Sequence, residues 1–389
     1  MELTAAEQRM LDGEEGEGVR KAIELVVALG KIYGAEGLVP IRSAHISGVS
    51  YKTIGDGGIS YLEHVSEESK VRVPSTLNPS GMDSQRWREM GISEDFARKQ
   101  LHIIELYERM GVDTTCSCTP YLGGNLPRLG EHVAWAESSA LSMVNSMVGA
   151  RTNREGGPGA LAAAIAGRTA DYGLHREENR APTVIIEAET DGSLFQHSLL
   201  GQAVGSAIGN GIPYFRGIRP RWEEAKIMAA AMAASGAVAM FHVEGVTPEA
   251  ADHDLSGLET VHMSEGELLQ AQERLTTTED ADLIAFGCPH LSEREIKEMA
   301  AFLEGKEKRS DVTVWFCTSR QVRESMPREV EVLERFGPVL ADTCMVVTPV
   351  EGLFANSASD SAKACNYLPT LCSQKVRCDS FERLMEVVL

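Results

Sequence analysis

Between Asp282 and Cys344, short apolar runs end one after another in polar turns, and that rhythm restricts the fold more than any other feature of the chain. Asp282-Leu283-Ile284-Ala285-Phe286 stops at Gly287-Cys288-Pro289-His290, and the capping box Ser292-Glu293-Arg294-Glu295 then opens a helix. Val312-Thr313-Val314-Trp315-Phe316 stops at Cys317-Thr318-Ser319-Arg320 and enters another helix. Val339-Leu340-Ala341 ends at Asp342-Thr343-Cys344. Strand, polar turn and helix in alternation predict βαβ units, an α/β class and a mostly parallel sheet.

The rest of the chain fits that class. A capping box at Thr4 to Glu7 starts a first helix, and an amphipathic helix is expected from Val19 to Tyr33, stopped by Gly34. The apolar run Leu38 to Ile41 leads into a polar loop, Ser43 to Ser50, and a second loop covers Leu77 to Asp83. A helix opens at Ser93, with Glu94 and Asp95 in the first turn where the dipole favours negative charge, and closes at Gly111. A strand is expected over Val112–Cys116, a helix carrying Glu137 and Ser138 over His132–Val148, and a strand over Val184–Glu187. Ala225–Ala234 has strong helix propensity, and Ala237–Val243 reads as a buried strand.

Eight cysteines are present: Cys116, Cys118, Cys288, Cys317, Cys344, Cys365, Cys372 and Cys378. In open α/β sheets ligands gather beyond the carboxyl ends of the strands, and helix N-termini there favour anionic groups. Cys118, Cys288, Cys317 and Cys344 fall at or just after predicted strand ends, whereas cysteines filling a core would sit inside the apolar runs. No CxxC pair occurs, so the pattern is not that of a zinc site. Thiolates from separate strand ends suit an iron–sulfur cluster with one iron left open to act as a Lewis acid. Cys365, Cys372 and Cys378 read as structural.

Charge narrows the function classes. The chain has 389 residues with a formal charge of −20 and no basic stripe, which argues against a nucleic-acid binder. An anionic substrate would need basic groups inside a cleft, set against the overall field. No apolar stretch is long enough to span a membrane, and Met1-Glu2-Leu3-Thr4 runs into acidic residues rather than a signal sequence, so a cytoplasmic protein is expected.

Several motifs resemble those of the aconitase X family: Cys118-Thr119-Pro120-Tyr121, Glu131 to Ser139, Gly149 to Gly157, Gly287-Cys288-Pro289-His290, Asp342-Thr343-Cys344 and Ser361-Ala362-Lys363-Ala364. The resemblance extends from the loop at Ser43 to Lys363. It implies an aconitase-like core of three α/β domains with mostly parallel sheets, here subdomains of roughly 1–130, 131–260 and 261–389, with the swivelling domain absent from this chain. Split members carry that domain on a separate small subunit, so a heterodimer is expected. They are similar to archaeal enzymes that dehydrate (R)-mevalonate 5-phosphate to trans-anhydromevalonate 5-phosphate in isoprenoid biosynthesis. Single-chain members look like cis-3-hydroxy-L-proline dehydratases, the nearest alternative. A non-catalytic RNA-binding regulator and a zinc hydro-lyase are the more distant ones.

Carried over by motif, the resemblance assigns the metal ligands as Cys118, Cys288 and Cys344, with Cys116 and Cys317 in reserve. The resemblance implies a 4Fe-4S cluster; classical aconitases use a CxxC pair, which this chain lacks, and that departure keeps 3Fe-4S and 2Fe-2S as alternatives. The catalytic base is assigned to a serine of the small subunit. For substrate contacts, the Gly48-Val49-Ser50 turn suits backbone contact with an anion, and Asn78 and Pro79 suit substrate positioning. Glu137 and Ser138 are expected to face the cluster or substrate. Ser319 and Arg320, at a strand end, suit phosphate, and Lys363, at a helix start, suits phosphate or carboxylate. Arg154 and Glu155 form a candidate orienting pair, and His45, His242 and His290 are candidate acid–base groups.

Overall fold

The computed structural model describes residues 1–389. Its largest sheet has five parallel strands in the spatial order Val339–Ala341, Thr313–Thr318, Leu283–Leu291, Asn356–Ser359 and Lys375–Cys378. A second parallel sheet orders His242–Val243, Pro213–Arg216, Val184–Ala188 and Thr260–Met263. A third, also parallel, places Ala44–Ile46 between Ser75–Leu77 and Ala134–Trp135. Only the short pair Leu38–Pro40 and Arg168–Ala170 is antiparallel. The chain is therefore an α/β protein with mostly parallel sheets. No helix is long and apolar enough to cross a membrane.

Helix boundaries follow the local chemistry. Ser292 and Glu295 form the expected reciprocal cap at the start of Glu293–Leu303, and Thr4 and Glu7 do the same for Ala5–Leu11. Helices Glu17–Ile32 and Glu94–Arg109 bury one face each. The most extensive apolar core joins 48 buried residues from Met82 to Cys378, so segments from all three sheets pack as one interior.

Four local readings need correction. Over Val112–Cys116 only Asp113 bridges to Thr76, because Cys116 has a φ of 43° and leaves the extended region. The region His132–Val148 begins with the strand Ala134–Trp135; its helix starts at Ser138, with the Glu137 carboxylate accepting from the Ser139 N–H, and ends in a π-turn at Val144–Val148. In Ala237–Val243 only His242 and Val243 pair, since Ala237 has a φ of 62°. Cys317 lies inside the strand Thr313–Thr318 rather than beyond its end.

The strand Leu283–Leu291 carries the irregularity that matters most. Phe286 pairs with Phe316 and Leu291 with Thr318, so Gly287 to His290 bulge out of the ladder. Gly287 permits this with a φ of 95°, and a Cβ there would lie 2.0 Å from the Cys317 carbonyl oxygen. Replacing Gly287 with alanine should cost about 3 kcal/mol and lower the thermal unfolding midpoint by several degrees. An unchanged midpoint would mean that this backbone relaxes freely.

Candidate active site

Three loops carry Cys118, Cys288 and Cys344 to one place. Cys118 follows the tight backbone at Cys116 and precedes the single 3-10 turn Pro120–Leu122. Cys288 sits in the bulge just described. Cys344 follows the strand Val339–Ala341, after Asp342 turns the chain with a φ of 65°. All three thiols line a single cavity of about 160 Å³. Asn78, Pro79, Glu137, Ser138 and Lys363 share its wall, and Val346, Val347, Tyr367 and Leu371 complete it.

The polar floor is built around one ion pair. The Lys363 ammonium donates to Glu137 Oε1 and, at 3.2 Å, to Ser139 Oγ. Asn78 Nδ2 donates to Glu137 Oε2 at 2.8 Å, and Ser139 Oγ to Glu137 Oε1 at 2.8 Å. Burial alone would raise the Glu137 carboxyl, but Lys363, Ser139 and Asn78 together bring it down to about 2. Glu137 is therefore ionised at neutral pH and acts as an acceptor. Asn78 Oδ1 is buried next to the His45 ring, whose Nε2 likewise has no other partner.

The thiols feel burial and that pair. Burial and the Glu137 charge push Cys118 up to about 12, against Lys363 and the His290 N–H, which donates to Cys118 Sγ at 3.2 Å. Cys288 and Cys344 share a hydrogen bond, which lowers Cys288 and raises Cys344. Lys363 also favours the Cys288 thiolate.

The remaining expected contacts lie outside the cavity wall. Ser50 Oγ donates at 2.7 Å to the carbonyl of Val347, a wall residue, while the Val49 carbonyl accepts from Gln100 and that of Gly48 from Tyr107. Ser319 caps the helix Arg320–Ser325. Arg320 pairs with Asp342 and reaches Asp83 and Ser84, with its Nη1 buried and unpartnered. Glu155 accepts from Thr169 instead of pairing with Arg154, whose guanidinium reaches the Ala233 carbonyl. Of the reserve thiols, Cys116 packs into the apolar core around the third sheet and Cys317 is fully buried beside Cys288 and Cys118. His45, His242 and His290 are buried, and burial brings each down to about 4, so they are neutral. Ser139, Tyr367 and the Val346–Val347 segment were not singled out by motif reading. Only Ser139 had a local signal, through its place beside Glu137.

The donor set suits a polynuclear centre. No three cysteine, histidine or acidic side chains converge closely enough to chelate one ion. Three cysteine thiols on one cavity wall are a donor set that an iron–sulfur cluster could use. A larger cleft of about 490 Å³ has Asp191, Glu265, Glu298 and Glu382 in its lining and no thiol. Its acidic wall is ill suited to an anionic substrate.

Comparison with known proteins identifies the family of the chain. The family models for the aconitase X first, second and third domains match residues 1–178, 182–273 and 281–389. The chain is 50% identical to the phosphomevalonate dehydratase large subunit of Methanothermobacter thermautotrophicus over 98% of both chains. It is 47% identical to that of Methanocaldococcus jannaschii, over 99% of this chain and 100% of the relative. A cis-3-hydroxy-L-proline dehydratase of Pseudomonas aeruginosa is 33% identical over 96% of this chain but only 68% of its own length. The crystal structure of Thermococcus kodakaraensis aconitase X in its holo-form superposes with a TM-score of 0.93 at 42% identity, over 100% of both chains. With the whole length matched in sequence and in backbone, the chain belongs to the aconitase X family.

Proposed function

We propose that this chain is the large subunit of a hydro-lyase that dehydrates (R)-mevalonate 5-phosphate to trans-anhydromevalonate 5-phosphate. The observation that carries the reading is the placement of Cys118, Cys288 and Cys344 around one cavity beside the Lys363–Glu137 pair. The names of the relatives matched over their full length support the substrate, since those that act on hydroxyproline are less similar and longer. An iron–sulfur cluster on the three thiolates, proposed as 4Fe-4S, would supply a Lewis acid for the departing hydroxyl and the carboxylate.

The chain's own residues bind and orient. Lys363 offers the cavity its only ammonium and draws an anion in against the net charge of −20. Glu137, held ionised, keeps Lys363 charged and fixes the Asn78 amide at the cavity wall, where Asn78 is proposed to position the substrate. Ser138 and Pro79 shape the wall. Arg320, through its unpartnered Nη1, is the proposed phosphate contact together with Ser319 and the backbone of Gly48, Val49 and Ser50. No side chain on the cavity wall is suited to abstract the proton beside the carboxylate, because Glu137 is too weak a base. The base is therefore proposed to come from a small subunit that closes the cavity.

Anaerobic co-purification with that small subunit, followed by iron and acid-labile sulfide counting and turnover assays, tests the proposal. We expect iron with sulfide, turnover of mevalonate 5-phosphate by the pair, and almost none by the large chain alone. Preference for cis-3-hydroxyproline would overturn the substrate, and zinc without sulfide would overturn the cofactor.

The ion pair makes its own prediction. Glu137→Gln or Lys363→Met leaves one buried group without its partner, and each should destabilise the chain by about 3–5 kcal/mol. The double variant should cost clearly less than the two singles together. Each variant should also lower kcat/KM at least a hundredfold. Additive stability losses in the double-mutant cycle would show that the two groups do not act as a pair.

A further inference from the structure

His290 touches all three cysteine loops. It follows Cys288 by two residues in the same bulge, and its backbone N–H donates to Cys118 Sγ at 3.2 Å. Its ring Nε2 lies 2.7 Å from the carbonyl oxygen of Thr343, the residue before Cys344. Its ring Nδ1 lies 3.1 Å from Oγ of Ser117, the residue before Cys118. Its own carbonyl accepts from the buried Lys226 ammonium at 2.9 Å, and Lys226 is paired with Glu295. The side chain is fully buried.

These contacts settle the hydrogen positions. A carbonyl oxygen only accepts, so Nε2 carries the proton and donates to Thr343. In a neutral ring Nδ1 must then accept, and Ser117 Oγ–H is its donor. Ser117 Oγ in turn accepts from the Thr119 N–H at 3.2 Å and from the Thr119 hydroxyl at 3.1 Å. Every polar atom of His290 is thus satisfied, with two bonds to the Cys118 loop, one to the Cys344 loop and one to the helix of Lys226.

We infer that His290 is a positioning residue for the cysteine site, holding the loops of Cys118, Cys288 and Cys344 in one register. This inference rests on the proposed cluster ligation for its consequence, but not for its geometry. The ring is too far inside the loops to line the cavity, so it acts through the cysteines and not on the substrate. Loops held apart by a missing ring bond leave three thiols that no longer meet the same inorganic centre, and the centre is lost faster.

The test uses the full-length chain and three variants. His290→Phe keeps the ring volume and removes both side-chain bonds, His290→Gln can restore a donor toward Thr343, and Ser117→Ala removes only the Nδ1 partner. After anaerobic reconstitution with iron and sulfide, His290→Phe should lose cluster absorbance to a chelator at least tenfold faster than wild type. His290→Gln should recover part of that loss, and the electron paramagnetic resonance spectrum of the reduced centre should shift. In the metal-free chain, peptides covering 115–119 and 342–346 should exchange amide hydrogen at least tenfold faster in His290→Phe. Should that variant fail to fold, Ser117→Ala decides, with faster exchange confined to 115–119 and faster cluster loss. Wild-type retention, spectrum and exchange in either variant would overturn the assignment. Wild-type protein that takes up no iron would overturn the cluster proposal instead, while the exchange measurement still decides the role of His290.

Discussion

The buried pair of Lys363 and Glu137 is the interaction on which the site depends. The two residues stand 226 positions apart, one at the start of helix Ala362–Cys372 and the other capping helix Ser138–Met143. Neither charge is stable alone in so dry a place, so each requires the other at one distance and one orientation. Meeting that requirement sets the helix starts on either side of the cavity against each other. The remaining lone pairs of Glu137 go to Asn78 and Ser139, which extends the same constraint to the loop at Asn78. Hydrophobic burial packs these segments together without direction; the ion pair selects the register in which the cavity forms.

Similar contacts recur around the site. Asp83 accepts from the Ala341 N–H and from Arg323, anchoring the loop after Leu77 to the strand that leads to Cys344. Ser80 donates to the Asp342 carbonyl, and Ser361 donates to the Cys288 carbonyl. Lys226 joins its helix, Trp222–Ser235, to the bulge through the His290 carbonyl. The loops of Cys288 and Cys344 are thus tied at their backbones by polar groups from distant parts of the chain. Loops that would otherwise be mobile become rigid enough to present three sulfurs together.

What the sequence revealed and what it hid divide along the same line. Strand ends, caps and turns depend on neighbours within a few residues, so local pattern could set Cys118, Cys288, Cys317 and Cys344 at or near strand ends, and the family resemblance then selected Cys118, Cys288 and Cys344. The failures were local too: Cys116 and Ala237 adopt positive φ without being glycine, and no side-chain signal announces that. The pairing of Lys363 with Glu137 and the reach of His290 to Ser117 and Thr343 depend on contacts across 53 to 226 residues, which no periodicity encodes. Arg320 shows the same limit. Its position at a strand end was legible, but its engagement with Asp342 and Asp83 was not.

The protonation state of the thiols connects this architecture to the cofactor. Burial holds Cys118 near 12, and Cys288 together with burial raises Cys344, so neither is a nucleophile at neutral pH. A buried thiol with no reactive role is normally surrounded by apolar atoms, yet these share a wall with an ammonium, a carboxylate and an amide. The combination makes sense when the thiols give up their protons to a cationic centre, because metal then replaces hydrogen and reverses the cost of burial. Lys363 offsets part of the negative charge that three thiolates bring, and Glu137 keeps that lysine charged. The proposed ligation would therefore set the thiolate charge beside an ammonium that Glu137 already holds charged.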